Sequence, residues 1–196
     1  NINNLKKKLN IKKLYKKDIS FGNLIFSSMY LKYNSNFNYT INEFKKLCGV
    51  RAEILNVTNG KNLYLCGIDS NINFISNEEK ITNGNFKNKI KDIYLVSKKL
   101  KKETLDKNSN NLEKYLKKIS VHPKINNKVK NAIIKSDIIL YGSGTQFSSL
   151  FPSYITSGLY ETLKKSKAKK FFISNIFYDR DIKNLTFEEI LDKFYY

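Results

Sequence analysis

The 196-residue sequence predicts a single α/β domain of three layers, a mostly parallel sheet flanked by helices, with a small β-excursion in its first half. Three observations predict it. The last third runs strand, loop, helix, strand, helix, and its strands are continuous apolar runs, as in parallel sheets covered on both faces. In the first half, Asn59-Gly60 lies between two β-type runs, a hairpin signal. Two capping boxes, Thr40-Ile41-Asn42-Glu43 and Thr186-Phe187-Glu188-Glu189, mark helix starts.

The elements follow in order. Residues 5–17 alternate apolar residues with lysine clusters and predict a basic amphipathic helix. Ser20 is the N-cap of a helix through residues 25–33, whose apolar content predicts burial. The helix opened by the Thr40 box ends at Gly49. Strands at 53–57 and 62–66 flank the turn Thr58-Asn59-Gly60-Lys61, and shorter strands are expected at 73–76 and 93–96. Residues 98–118 read as an exposed, lysine-rich excursion with some helix. A helix at 125–136, a buried strand at 137–141, a loop at 142–149, a helix at 158–167 and a strand at 170–174 precede the final helix. No repeat and no linker divides the chain.

Composition narrows the function classes. Apolar residues make up 41% of the chain, close to the globular average, which argues against disorder. No apolar run approaches the roughly 20 residues of a membrane span. The net charge of +19 is almost all lysine, since arginine occurs only at Arg51 and Arg180. A nucleic-acid surface would use arginine for bidentate contacts, so most of this charge reads as solvated lysine faces. A lysine-rich nucleic-acid binder remains an alternative, and the field draws in anions such as phosphates in either case. Cys48, Cys66 and the single His122 make neither a disulfide framework nor a zinc site, and a reduced, cytoplasmic protein is expected. The chain opens on Asn1 without a methionine, so a piece of a longer protein is expected.

The chemistry points to Gly142-Ser143-Gly144-Thr145-Gln146-Phe147-Ser148-Ser149, which leaves the end of an apolar strand. Gly142 and Gly144 let backbone N–H groups approach an oxyanion, and Thr145, Ser148 and Ser149 add hydroxyl donors. The spacing matches neither the Lys-Ser/Thr phosphate loop nor the dinucleotide fingerprint, and a tight turn capped by serines is the alternative reading. Asp179, Arg180 and Asp181, after a later strand, read as well as an ion-pair cluster as a metal or phosphate site. His122 reads as a surface loop residue for want of a Ser or Cys partner, and Glu78-Glu79 as a solvated pair in a hairpin region.

These residues resemble a known family. The string from Asp137 through Gly142-Ser143-Gly144-Thr145-Gln146-Phe147-Ser148-Ser149 to Pro152 resembles the Gly-Pro-Gly-Ser-x-Tyr-Thr-Ser-Ile-x-Pro signature of the 2-phospho-L-lactate transferase / gluconeogenesis-factor family. Gly158-Leu159-x-Glu161-x-Leu163-x-x-Ser166-x-Ala168-x-Lys170 resembles the motif that follows it, and a strand ending in Asn175 comes next. Upstream, Ser20-Phe21-Gly22-Asn23-Leu24 and Val57-Thr58 resemble weaker family motifs in the right order.

The resemblance implies a Rossmann-like fold and a nucleotide-linked ligand, of GDP or UDP type, on Gly142, Ser143, Gly144, Thr145, Ser148 and Ser149. Gly22, Asn23 and Asn175 would face the same crevice. It implies either a transferase of a phosphorylated group, assisted by magnesium, or a UDP-sugar-binding regulator of carbon metabolism and cell-wall growth. The family's N-terminal glycine-rich strand and aspartates have no counterpart here, so the magnesium ligands are expected outside this segment. The family's Met-Thr-Gln-Pro-Gly-Glu-Thr is replaced by residues 176–182. A homodimer is compatible with such folds, although no residue points to one.

Overall fold

A computed structural model describes residues 20–83, 87–175, 180–182 and 184–192. The helix predicted at 5–17 lies outside the described residues. The chain divides into two compact units, Asn1–Gly60 and Lys61–Tyr196.

The first unit contains α1 (Phe21–Lys32) and α2 (Phe37–Leu47). Ser20 caps α1 as expected, its hydroxyl oxygen accepting from the Asn23 N–H at 3.2 Å. The second helix starts earlier than its predicted box. Asn36 is the N-cap, accepting from the Tyr39 N–H at 3.0 Å, and Thr40 lies inside the helix with its hydroxyl on the Asn36 carbonyl at 2.7 Å. Asparagine caps as well as threonine, and the earlier start adds Phe37 to the helix. Phe37 sits edge-on to Phe26 and Tyr30, with ring centroids 5.6 and 6.2 Å apart. Gly49 follows α2 with φ 65°, the left-handed stop expected there. The predicted burial of α1 does not hold. It has no buried residue, because one partner helix covers only a stripe of its surface.

The second unit opens with β1 (Tyr64–Asp69), the centre of a three-stranded antiparallel sheet with β2 (Phe74–Ile75) and β3 (Ile90–Val96) at its edges. The predicted strand at 53–57 is not a strand, although Gly60 takes the turn conformation at φ 82°. β1 pairs instead with the longer β3, from Tyr64↔Val96 to Gly67↔Ile93. Cross-strand pairs with buried Ile93, Leu95 and Val96 stabilise more than a local turn can. Gly67 belongs to that register, since a Cβ there would lie 2.8 Å from the Asp92 carbonyl oxygen.

Alternation along β1 and β3 splits the core into two faces. Cys66, Ile68, Tyr94 and Val96 meet Leu112 and Leu116 of α5 (Leu112–Ile119), so the lysine-rich segment, which also holds α4 (Lys102–Lys107), is partly core. Burial pushes the Cys66 thiol up to about 12. On the other face Ile75, Ile90 and Ile93 meet Ile81 of α3 (Glu78–Asn83), together with Phe147, Phe151 and Ile190. Glu78 and Glu79 occupy the first turn of α3, where the helix dipole favours carboxylates, and not a hairpin.

The last third keeps its predicted order, α6 (Asn127–Lys135), β4 (Ile138–Tyr141), α8 (Leu159–Lys165), β5 (Lys169–Phe172) and α9 (Phe187–Asp192), with one short unpredicted helix, α7 (Phe151–Tyr154), between β4 and α8. β4 and β5 are parallel, Ile138↔Lys169 through Tyr141↔Phe172. The second capping box forms as read: the Thr186 N–H donates to Glu189 Oε2 at 2.8 Å and the Glu189 N–H to Thr186 Oγ1 at 3.2 Å. The α/β class therefore holds. Its sheet is not mostly parallel among the described residues: β4–β5 is a parallel pair, and the three-stranded antiparallel sheet is separate from it and larger, since β1 finds its partners in β2 and β3. β4 itself is not the buried strand predicted, because one of its faces is open: Ile138 is 57% and Leu140 61% exposed.

Candidate functional site

Parallel pairing brings the carboxyl ends of β4 and β5 side by side, and the Ile173 N–H extends the ladder to the Tyr141 carbonyl at 3.0 Å. Gly142 to Thr145 leave one strand there, and Asn175 lies just past the other, half-buried. This end of an open α/β sheet is where ligands bind. The structure thus places the predicted loop and Asn175 at one end of one sheet. Gly22 and Asn23 belong to the first unit, exposed at the start of α1.

Within the loop the predicted residues divide by role. Gly142 and Ser143 are exposed, and a Cβ on Gly142 would meet nothing within 4 Å. At Gly144 a Cβ would sit 3.1 and 3.3 Å from two side-chain carbons of Leu150, so any larger residue there would have to push Leu150 aside by a few tenths of an ångström. Residues Gln146–Leu150 form a single π-type turn that runs into α7, so a helix start lies inside the predicted loop. Phe147, 2% exposed, anchors that turn in the core, with its ring 5.3 Å from Phe151.

The three hydroxyls form a chain. Ser148 is buried and donates to Thr145 Oγ1 at 2.7 Å, and Thr145 Oγ1 lies 2.6 Å from the hydroxyl of exposed Ser149. Beneath them is Asp181, 2% exposed, whose Oδ2 accepts from the Phe147 N–H at 2.9 Å and the Ser148 N–H at 3.1 Å. Sequence reasoning weighed Asp181 as a metal or phosphate positioner or an ion-pair member and missed this role. A carboxylate following a strand is a weak signal, and nothing local shows a partner some thirty residues earlier. Asp179 lies outside the described residues, and Arg180 is exposed.

An aromatic cleft of about 380 Å³ opens beside Tyr141, the residue before the loop, with Tyr160, Leu163, Phe172 and Leu191 in its walls and Lys164 and Lys170 among them. Lys170 Nζ donates to the Ser166 and Ala168 carbonyls at 3.0 and 3.2 Å, and Lys164 Nζ stands 5.9 Å from the Tyr160 ring. Burial raises the phenol of Tyr141, and burial with that neighbour pushes Tyr154 up to about 12, so both phenols are neutral donors at ordinary pH. Among the described residues no three His, Cys, Asp or Glu side chains come together to hold a metal ion. Asp181 Oδ2 is taken by backbone amides and is not offered to a cation.

His122 has the partner its sequence did not suggest. Its Nδ1 donates to the Ile155 carbonyl at 3.1 Å, and its Nε2 lies 3.2 Å from the Ser120 hydroxyl, which also reaches the Lys117 carbonyl at 3.1 Å. Exposed and outside the cleft's lining, the pair ties the 120–123 segment to the end of α7.

A strand, a tight glycine-hydroxyl turn and a helix at the carboxyl end of a parallel pair define a Rossmann-like α/β protein. The chain belongs to the 2-phospho-L-lactate transferase CofD family, which matches residues 12–195. It is similar to the gluconeogenesis factor of Halalkalibacterium halodurans, 26% identical over 159 residues, which are 80% of this chain and 40% of that protein. A putative gluconeogenesis factor of Thermotoga maritima is 38% identical over 48 residues, 24% of this chain and 15% of that protein. The fold is similar to the crystal structure of a UPF0052 family member from Bacillus halodurans, with a TM-score of 0.67 and 24% identity. That match covers 89% of this chain and 48% of the other, so the chain spans about half the length of its relatives or less. Among the described residues, no helix is long and apolar enough to cross a membrane.

Proposed function

We propose that the protein binds a nucleotide-diphosphate-linked ligand of GDP type and transfers a phosphorylated group, in the cytoplasm. The observation that carries the reading is the loop: Gly142 to Thr145 stand at the carboxyl ends of β4 and β5, with Gly144 packed tightly on the Leu150 side chain. Exposed backbone at Gly142 and Ser143 and the Ser149 hydroxyl are donors for phosphate, and half-buried Asn175 orients the ligand from the neighbouring strand end. The cleft beside Tyr141 has the size of a small-ligand pocket, and its rings suit a planar base. Magnesium is an addition to be tested, with no step assigned to it. A homodimer is likewise left to direct measurement of mass.

A second reading, a non-catalytic regulator that binds a UDP-sugar, is favoured by the names of the curated relatives, which are gluconeogenesis factors. A thermal-shift panel on the protein with GDP, GTP, UDP and UDP-N-acetylglucosamine, each with and without magnesium, separates the two. Saturation at about 100 times the dissociation constant stabilises by roughly 2.7 kcal/mol. A guanine-specific shift supports the transferase, a UDP-sugar shift the regulator. No shift with any of the four rejects both.

A further inference from the structure

The start of a helical segment offers unsatisfied N–H donors, and in a glycine-hydroxyl loop a ligand's phosphate is the expected occupant. Here the first donors are already taken. Asp181 Oδ2 accepts from the Phe147 N–H at 2.9 Å and the Ser148 N–H at 3.1 Å and lies 3.3 Å from the Ser148 hydroxyl oxygen, with the whole residue 2% exposed. A buried carboxylate is costly unless it is hydrogen-bonded, and buried amides are costly unless they are paired, so each compensates the other. The effect reaches the surface through the hydroxyls. Ser148 is held between Asp181 and Thr145, and Thr145 touches Ser149, the exposed end of the chain.

We infer that Asp181 is the resident anion of this loop and its positioning residue. It bars a ligand's phosphate from the Phe147 and Ser148 amides, confines that phosphate to the Gly142–Thr145 side, and sets the Thr145–Ser149 hydroxyl pair that faces it. The ligand half of the inference rests on the proposed function, and the resident-anion half rests on the hydrogen bonds alone.

Hydrogen exchange on the full chain tests the resident anion without any nucleotide. In Asp181→Ala, exchange of the Phe147 and Ser148 amides should quicken by about tenfold or more, the loss expected for hydrogen bonds to a charged group. Millimolar to molar formate should slow it again by filling the vacated place. Unchanged exchange, or fast exchange that formate does not slow, overturns the inference. If Asp181→Ala does not fold, Asp181→Asn carries the test: its amide oxygen still accepts from the N–H groups but without charge, so a smaller increase is expected and none overturns it.

Titration calorimetry with the nucleotide identified in the thermal-shift panel tests positioning. Folded Asp181→Asn should bind about tenfold more weakly or worse, whereas wild-type affinity overturns the positioning role. If the wild type binds none of the nucleotides, the proposed function fails, and the resident anion is judged by exchange alone.

Discussion

The two sheets of the second unit are built from strands of similar apolar content and meet different surroundings. In β1 and β3, Ile68 is 0% exposed and Val96 2%, because helices from both sides of the sequence cover the two faces. In β4 and β5, the face carrying Tyr141 and Phe172 lies against the crossover, with the Tyr154 ring 5.9 Å from Tyr141. The opposite face leaves Ile138, Leu140 and Phe171 between 50% and 61% exposed. A run of apolar residues shows that a strand has sticky faces. It does not show how many of them this stretch of chain can cover.

The largest predicted effect breaks or upholds that contrast directly. Ile68→Ala should cost about 2–5 kcal/mol, since it empties a sealed core. Leu140→Ala should stay within about 0.5 kcal/mol, since its side chain gains little from burial. Denaturant unfolding of both variants measures the difference, and equal losses would mean that the open face of β4 is covered in solution.

Glycines give the next comparison. Gly67→Ala forces a Cβ to 2.8 Å from the Asp92 carbonyl oxygen and should cost about 1–3 kcal/mol by displacing β3. Gly142→Ala meets nothing within 4 Å and should be neutral to within about 0.5 kcal/mol. Thermal melts of the pair would show whether the loop is as open as the sheet is closed.

A smaller loss, about 1 kcal/mol, is expected from Thr186→Ala, which removes the hydroxyl half of the capping box on α9. The Thr186 N–H would keep Glu189, so α9 should fray without unfolding the unit, as circular dichroism and denaturant melts would record.

The last prediction concerns acid. Burial raises the Asp69 carboxyl, but hydrogen bonds from the Asn88 and Asn73 side chains and the Asn73 and Asn71 N–H groups outweigh it and hold the group below its ordinary value. A depressed carboxyl contributes stability above its unfolded value of about 3.9 and loses it as pH falls through the folded one. Between neutral pH and about pH 3, Asp69→Asn should therefore lose less stability than the wild type. Parallel pH–stability curves would remove Asp69 from the acid response.

Sequence alone determined the α/β class, the order of elements in the last third, the Ser20 cap, the Gly49 stop and the Thr186 box. All of these rest on contacts within a few residues, where spacing and geometry are the same thing. It also placed the glycine-hydroxyl loop at a strand end, because a strand and its next turn are continuous in the chain. The pairing of β1 with β3 in place of a local hairpin, the open face of β4, the Ser120 partner of His122 and the Asp181 carboxylate under the loop were decided by tertiary structure. Each depends on which distant surface arrives to compete for the same backbone donors or apolar faces. Phe147 and Ser148 meet Asp181 across more than thirty residues, and no periodicity or cap encodes an encounter of that range.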